Sequence, residues 1–263
     1  MILTYHVVSE DSPYLYSIHP RDMEEHVRFM TGMQAESRQN GMPCVTFDDG
    51  HVSQYYVGLP LLEQFHLRGI FFITAEWTDS KPGYMSWVQL RDIVRRGHEV
   101  QSHGWSHKFL TQCSPSKLRQ ELRRSKQVLE DGLGTQVDAL AIPNGAWNGR
   151  VLSECAEAGY RRVYTSEPFL RQVKRGNLEL FGRVSVQRTT TSRTLAQFAR
   201  AERTVFSSVR VRHRAKRAVR AALGQRLYHR LWCWIARADS RDDVSPAHQD
   251  TLGKALKSRG ATF

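Results

Sequence analysis

Two short polar segments of this 263-residue chain contain residues that could bind a metal ion and transfer protons. The first is Thr46-Phe47-Asp48-Asp49-Gly50, and the second, further along the chain, is Ser102-His103-Gly104-Trp105-Ser106-His107. Adjacent residues of an extended strand point to opposite faces, so the two aspartates are suited to different tasks. The two histidines stand four apart, a spacing that lets both imidazoles face one point. One aspartate and two histidines can bind a divalent cation, which leaves the second aspartate free to act as a base.

Each segment by itself is weak evidence. Asp-Asp-Gly is a common turn, and a histidine pair at this spacing can arise by chance in a chain with 11 histidines. Both segments follow runs that read as buried strands, and this joint occurrence favours a catalytic metal site. The ligand types suit zinc, cobalt, nickel, manganese or iron, and zinc is the ion that we expect.

The sequence resembles the polysaccharide deacetylases of the NodB type, which are the family-four carbohydrate esterases. Besides the two motifs, the similarity includes residues 69–73, residues 86–100, and residues 141–145 in the place of the family's third motif. It covers the chain from the first residue to about residue 190. The resemblance implies an α/β fold, a deformed (β/α)7-type barrel. It also implies a metal-dependent hydrolase that removes an N-acetyl group from an amino sugar of a saccharide or glycolipid, in cell-surface glycan biosynthesis.

Carried over residue by residue, the resemblance implies Asp49, His103 and His107 as metal ligands and Asp48 as the catalytic base. Physical chemistry supports this division of tasks. A bound cation lowers the pKa of water from about 15.7 to about 7, and a nearby carboxylate can complete the deprotonation. The resulting hydroxide would attack the amide carbonyl.

Negative charge on the carbonyl oxygen requires a hydrogen-bond donor. Pro143 has no N–H, so the backbone amide of Asn144 is the predicted donor. Trp105, Trp147 and Pro143 are predicted to contact the substrate, since aromatic faces stack on sugar rings, although most aromatic residues belong to the core.

The leaving amine needs a general acid, and here the sequence departs from the family. In most members the acid is a histidine near the C-terminal end, but no histidine follows residues 183–186 closely. The apolar segment at residues 2–8 carries His6 instead. The first and last strands of a closed barrel are neighbours, so a strand can move between the chain ends, as in the circularly permuted members. We therefore predict His6 as the general acid; a core or rim histidine is the alternative.

A second departure is Ala141, which stands where many members carry an arginine that orients the base. The acidic partner of that arginine also has no clear match in residues 164–168. Losing both members of an ion pair is more coherent than losing one, because a lone buried charge is costly. Arg183 and Arg188 are possible substitutes, on the basis of position alone.

The length suits a single α/β barrel, and alternating strand and helix patterns predict a parallel sheet or barrel with its site at the C-terminal strand ends. Composition does not separate a barrel from an open sheet. The predicted strands are residues 1–8, 43–47, 69–74, 99–102, 139–142 and 161–164, and the predicted helices are residues 87–96 and 116–129. The predicted domains are a catalytic domain at 1–199, a basic amphipathic helical extension at 200–238 and a mobile tail at 239–263.

The positive charge is concentrated near the C-terminal end. Residues 200–237 contain eleven Lys or Arg and one acid, which gives +10 of the net charge of +12. Leu223, Leu227 and Leu231 form an apolar stripe, a pattern typical of a helix that lies on an anionic membrane surface. Packing of this stripe on the barrel is an equal alternative. Nucleic-acid binding is not expected, because no accompanying motif is present.

Four widely spaced cysteines without a Cys-x-x-Cys pair indicate neither a zinc knuckle nor a disulfide framework. We find no secretion signal and no apolar run of membrane-spanning length, so we expect a cytoplasmic protein, with the basic segment at the inner membrane face. Two other functions stay open: an amidase or deformylase acting on a non-sugar or non-acetyl substrate, and a non-catalytic carbohydrate- or membrane-binding protein on the same scaffold. Against the latter, adjacent like-charged carboxylates are costly to keep.

Overall fold

The computed structural model of the chain describes residues 1–37, 45–167 and 172–199, with isolated helical positions at Ala215 and Val219. The predicted extension at 200–238, apart from those two positions, and the predicted tail at 239–263 lie outside the described residues. The strands are β1 (Leu3–Tyr5), β2 (Val7–Val8), β3 (Ser17–Ile18), β4 (Val45–Phe47), β5 (Gly69–Ile73), β6 (Glu99–Ser102), β7 (Ala139–Ala141), β8 (Arg162–Thr165), β9 (Val173–Arg175), β10 (Leu178–Gly182) and β11 (Val184–Ser185). The α-helices are α1 (Pro20–Ser37), α2 (Leu59–Gln64), α3 (Trp87–Arg95), α4 (Pro115–Leu133), α5 (Gly149–Glu157) and α6 (Ser192–Ala199).

The main sheet closes into a barrel through one bent strand. Its order is β11-β1-β4-β5-β6-β7-β8-β10-β9, and the pairings are parallel except for the β9–β10 hairpin. Only Arg183 separates β10 from β11, so the same stretch of chain pairs with β8 before this residue and with β1 after it. The sheet therefore closes as a deformed (β/α)7-type barrel in which the first and last strands are neighbours, as predicted.

Strands β4 to β8 lie where the sequence pattern predicts them, to within one or two residues at each end. The prediction of one continuous strand at residues 1–8 is wrong, because the chain leaves the barrel at His6. Beyond it, β2 pairs with β3 in a separate two-stranded sheet.

The two predicted helices are confirmed. Ser86 caps α3 with a capping box: its hydroxyl accepts from the Gln89 N–H, and the Gln89 side chain accepts from the Ser86 N–H. Helix α4 begins one residue earlier than predicted, because Ser114 is the N-cap and Pro115 takes the first helical position, which suits proline.

Side chains on alternate strand positions form two separate buried clusters. A small cluster fills the barrel interior and consists of Ile70, Phe72, Ala139, Ala141, Tyr164 and Phe181. The larger cluster contains the opposite strand faces and the apolar sides of the helices. This division follows from the period of two along a strand, since every second side chain faces the barrel axis.

The two ends of the barrel interior carry different charged groups. At the N-terminal strand ends, Arg162 binds Asp138 at 2.6 Å and Glu99 at 2.7 Å. The two motifs with the aspartates and histidines follow β4 and β6, so they lie at the C-terminal strand ends, as predicted. In the described ranges, no helix has both the length and the apolar character needed to cross a bilayer.

Candidate metal centre and active site

Asp49, His103 and His107 converge on one point. Asp49 Oδ1 lies 3.3 Å from His103 Nε2 and 3.2 Å from His107 Nε2. One potential ligand atom from each of the three residues lies within 4.8 Å of the other two. Asp49 Oδ1 is buried and accepts no hydrogen bond despite this proximity. The three side chains thus have the donor types and the spacing of a site for a divalent cation.

The hydrogen bond of the His103 ring indicates whether a cation fits between His103 and Asp49. His103 Nδ1 lies 2.9 Å from the Ala141 carbonyl oxygen, which can only accept, so Nδ1 carries the proton of the neutral ring. Its Nε2 lone pair then faces the lone pairs of Asp49 Oδ1. Two electron-pair donors at this distance repel each other unless a cation lies between them, and this polarised histidine is typical of metal ligands. The residues present therefore fit a metal ion.

Three of the site residues have left-handed backbone conformations. The φ angles are 75° at Asp49, 56° at His107 and 58° at Asn144. Such angles are uncommon outside glycine and cost free energy, and residues that adopt them cluster at functional sites. The turn after β4 directs Asp49 toward the histidines, while Asp48 stays on the strand face that carries Thr46.

Asp48 forms a buried bidentate ion pair with Arg183. Arg183 Nη1 donates to Asp48 Oδ1 at 2.6 Å, and Nη2 donates to Oδ2 at 2.7 Å. The guanidinium also donates to the hydroxyls of Thr4 and Thr46 at 3.2 and 3.1 Å. Bidentate pairs of this kind fix the orientation of a carboxylate as well as its charge.

The charges around each aspartate keep it ionised. Burial alone would raise the pKa of Asp48, but the Arg183 guanidinium outweighs it and holds the pKa below its ordinary value. Burial would also raise the pKa of Asp49, and the His107 and His103 imidazoles hold that pKa well below its ordinary value. Asp48 is thus paired with a guanidinium and Asp49 with two imidazoles, so the two carboxylates have different surroundings, in line with two separate tasks.

Arg183 lies against the aromatic side chains of the interior cluster that also contains Ala141. Its guanidinium carbon lies 5.2 Å from the Phe72 ring centroid and 5.9 Å from that of Tyr164. Of the two arginines considered from the sequence, Arg183 is the one that binds Asp48. Arg188 instead donates to the Pro13 carbonyl at an exposed position.

His6 follows β1 beside the end of β4. Tyr5 pairs with Phe47 in the parallel register, so His6 and Asp48 are the next residues on neighbouring strands. Burial lowers the pKa of His6, and the Asp49 and Asp48 carboxylates oppose this effect only in part. Its ring lies 4.9 Å from the Tyr16 ring, and its buried Nδ1 has no hydrogen-bond partner among the described residues.

The other predicted site residues lie in the loops that follow β6 and β7. Pro143 is buried, and the Asn144 side chain donates to the His107 carbonyl at 3.4 Å, which links this loop to the metal ligands. Trp147 packs partly on the core, and its buried Nε1 has no acceptor in the described part of the chain. Trp105 stacks against Arg124 and donates to Glu76 at 3.1 Å. The substrate contacts of these residues stay predictions.

Two nearby residues were not identified from the sequence. Gln54 Nε2 donates to the carbonyl oxygens of both His6 and Asp48, and so joins the ends of β1 and β4. The Trp77 ring lies 5.3 Å from the His107 ring. The sequence gives no indication of the role of Gln54, because its partners are backbone atoms. Trp77 is one of several aromatic residues near the motifs, and composition does not show which of them lies next to the histidines.

The family model for polysaccharide deacetylases matches residues 36–163. Among curated proteins, the chain is 22% identical over 182 residues to the putative polysaccharide deacetylase YxkH of Bacillus subtilis, which is 64% of each chain. It is 28% identical over 124 residues to a peptidoglycan-N-acetylglucosamine deacetylase of Bacillus cereus, 47% of this chain and 55% of the relative. The chain thus spans less than two thirds of the length of either relative.

Solved structures support the same fold. The deacetylase PplD of Streptococcus pyogenes, determined in complex with acetate, superposes with a TM-score of 0.65 at 21% sequence identity. The match covers 75% of this chain and 96% of PplD. Taken together, these comparisons show that residues 36–163 match the polysaccharide deacetylase family model and that the chain has the fold of solved polysaccharide deacetylases.

Proposed function

We propose that this chain is a metal-dependent hydrolase that removes an N-acetyl group from an amino sugar of a saccharide or glycolipid. The observation that carries the proposal is the cluster of Asp49, His103 and His107 beside a second carboxylate, Asp48, that Arg183 orients. The match of residues 36–163 to the polysaccharide deacetylase family supports it, as does the substrate named for the Bacillus cereus relative, the N-acetylglucosamine of peptidoglycan. A role in the biosynthesis of a cell-surface glycan is the corresponding biological proposal.

Asp49, His103 and His107 would hold the metal ion, for which we propose zinc. A divalent cation supplies Lewis acidity and lowers the pKa of water to about 7. Asp48 would be the base that accepts a proton from the attacking water. Because Arg183 keeps Asp48 ionised, the carboxylate is a weak base that is always available, and its task is limited to removing a proton from an acidified water.

His6 is the proposed general acid, and Asn144 the proposed oxyanion donor. Burial lowers the pKa of His6, which makes its protonated imidazole a stronger acid but reduces the protonated fraction, whereas the nearby Asp49 and Asp48 carboxylates favour the protonated form that a general acid requires. The backbone amide of Asn144 would donate to the carbonyl oxygen as negative charge develops there.

The test of the proposed reaction is acetate release from a panel of N-acetylated saccharides, a lipid-linked N-acetyl sugar and an N-formyl analogue. We expect Asp48→Asn to retain its metal content and to lose about 10²- to 10⁴-fold in rate. Asp138→Asn is a matched control, because Asp138 also pairs with an arginine of the barrel, Arg162, but at the opposite end. Formate release alone would indicate a deformylase, and no release by the metal-loaded protein would refute the proposal.

A separate variant tests the general acid. His6→Gln keeps a hydrogen-bonding side chain of similar length but cannot deliver a proton at neutral pH. We expect turnover to fall while metal content stays at the wild-type level. Unchanged turnover with metal bound would show that His6 is a structural residue.

We also propose that the basic segment at 200–238 binds anionic membrane surfaces, which would place a cytoplasmic enzyme near lipid-linked substrates. The sequence pattern alone supports this. Cosedimentation of the full chain with anionic and neutral lipid vesicles tests it, since attraction between exposed charges is screened by salt. Equal binding to both vesicle types, insensitive to salt, would refute the membrane role.

A further inference from the structure

We propose that Glu121 of helix α4 is a positioning residue for the metal centre, because it fixes the loop that carries His107. The inference rests on the proposed function, in that it requires a metal ion at Asp49, His103 and His107. Glu121 acts through the intervening residue Ser106 and does not bind the metal itself.

Glu121 is a fully buried carboxylate with both oxygens directed at one residue. Its Oε2 accepts from the Ser106 N–H at 2.8 Å, and its Oε1 accepts from the Ser106 hydroxyl at 2.7 Å. Lys117 Nζ lies 3.2 Å from Oε1 and supplies a positive charge. Charge-assisted hydrogen bonds in a buried setting are among the stronger ones, and Ser106 directly precedes His107 in the chain.

The same face of α4 holds the loop at two further points. Ser125 Oγ lies 2.9 Å from Ser102 Oγ, which in turn accepts from the Gly104 N–H at 3.0 Å. The Arg124 guanidinium stacks 3.8 Å from the Trp105 ring. These helix residues and Glu121 are three and four apart and lie on one side of α4. Helix α4 therefore contacts the end of β6 at Ser102 and the following loop at Trp105 and Ser106.

His107 needs this support more than His103 does. His103 continues from strand β6, with its N–H bonded to the Ile73 carbonyl at 2.8 Å and its ring bonded to the Ala141 carbonyl at 2.9 Å. His107 lies beyond the strand with a φ of 56°, a conformation that the chain keeps only where its surroundings impose it. Without Glu121, we expect the loop to relax and the His107 imidazole to leave the position that faces Asp49.

The test is metal affinity, measured by titrating Co²⁺ into the metal-free full chain and following the visible absorption of the bound ion. We expect Glu121→Ala to raise the Kd about 10-fold or more and to alter the Co²⁺ spectrum, as for other groups that orient ligands. Glu130→Ala is the matched control on the same helix. Glu130 also accepts from a backbone N–H, that of Val137 at 2.9 Å, and from Lys126 at 2.9 Å, but it touches no part of the loop. This control should keep the wild-type Kd and spectrum.

The inference would be overturned if Glu121→Ala and wild type had equal Kd values, or if Glu121→Ala and Glu130→Ala lost Co²⁺ affinity equally. If Glu121→Ala does not fold, Ser106→Ala removes the hydroxyl bond alone and should raise the Kd about threefold or more. An unchanged Kd in that variant would also overturn it. Failure of the wild type to bind Co²⁺ would refute the proposed metal centre itself. If instead the wild type and Glu121→Ala bind Co²⁺ equally well, only the role of Glu121 is refuted.

Discussion

Removal of the Arg183 guanidinium should destabilise the barrel strongly, because it leaves Asp48 as a buried charge without a partner. The guanidinium is fully buried and makes two short hydrogen bonds to Asp48. Loss of one member of such a pair typically costs about 3–5 kcal/mol. We expect Arg183→Met to lower the free energy of unfolding by this amount, a large share of the roughly 5–15 kcal/mol of a typical domain.

A double-mutant cycle separates the ion pair from other effects of the substitution. Asp48→Asn alone leaves the guanidinium without its counter-charge, whereas Arg183→Met with Asp48→Asn removes both charges. We expect the double variant to lose about 2–3 kcal/mol less than the sum of the single losses. Urea unfolding in the presence of a chelator gives these values without a contribution from bound metal.

Arg188→Met is the control, because Arg188 bonds only a carbonyl at an exposed position in the described structure, and its loss should stay within about 0.5 kcal/mol. A cost below about 1 kcal/mol for Arg183→Met would refute the reasoning, as would losses that simply add in the double variant. Either result would mean that Asp48 and Arg183 do not form a coupled unit.

Two further predictions concern stability away from the metal ligands. Burial lowers the pKa of His98, whose Nδ1 accepts from the Gly69 N–H at 3.1 Å, so the unfolded chain binds the proton more readily. The charged groups that act on it are Glu63, Arg96 and Arg68. The free energy of unfolding should therefore fall as the pH drops through about 6.5, the pKa of histidine in the unfolded chain. In His98→Asn this fall should be less steep. Urea unfolding at several pH values measures both, and equal pH slopes for wild type and variant would contradict the prediction. Gly132→Ala should lower the free energy of unfolding by about 1–3 kcal/mol in urea, because the new Cβ would overlap the Trp87 ring. Gly149→Ala should change it little, because no atom lies near the position of its new Cβ. Equal effects of the two substitutions would contradict the packing argument.

The sequence predicts the metal cluster well because each motif is local. Asp49 follows β4 and the two histidines follow β6, and parallel strands bring their C-terminal ends together whatever the remaining details are. The closed barrel also makes the first and last strands neighbours, which was enough to select His6 for testing. These inferences need only strand order and periodicity.

The partner of Asp48 could not be identified with the same certainty. Arg183 and Asp48 are 135 residues apart, and no periodicity links them. Arg183 binds Asp48 because β10 and β11 bend around it at the closure of the sheet, a feature set by tertiary pairing. Helix α1 was missed although Met23, Val27 and Met30 recur at helical spacing and are buried; this signal was available.

Closure of the barrel at Arg183 also orders the events of folding. Residues 49, 103 and 107 are all synthesised well before residue 183, as are strands β4 to β7 and helix α4, which hold them together. Long-range pairing of β11 with β1 forms late in a chain of high contact order. If the proposed roles hold, the three metal ligands can assemble before Arg183 orients the base, so a partly folded chain could already bind the metal ion and would become active only when the last strand pairs.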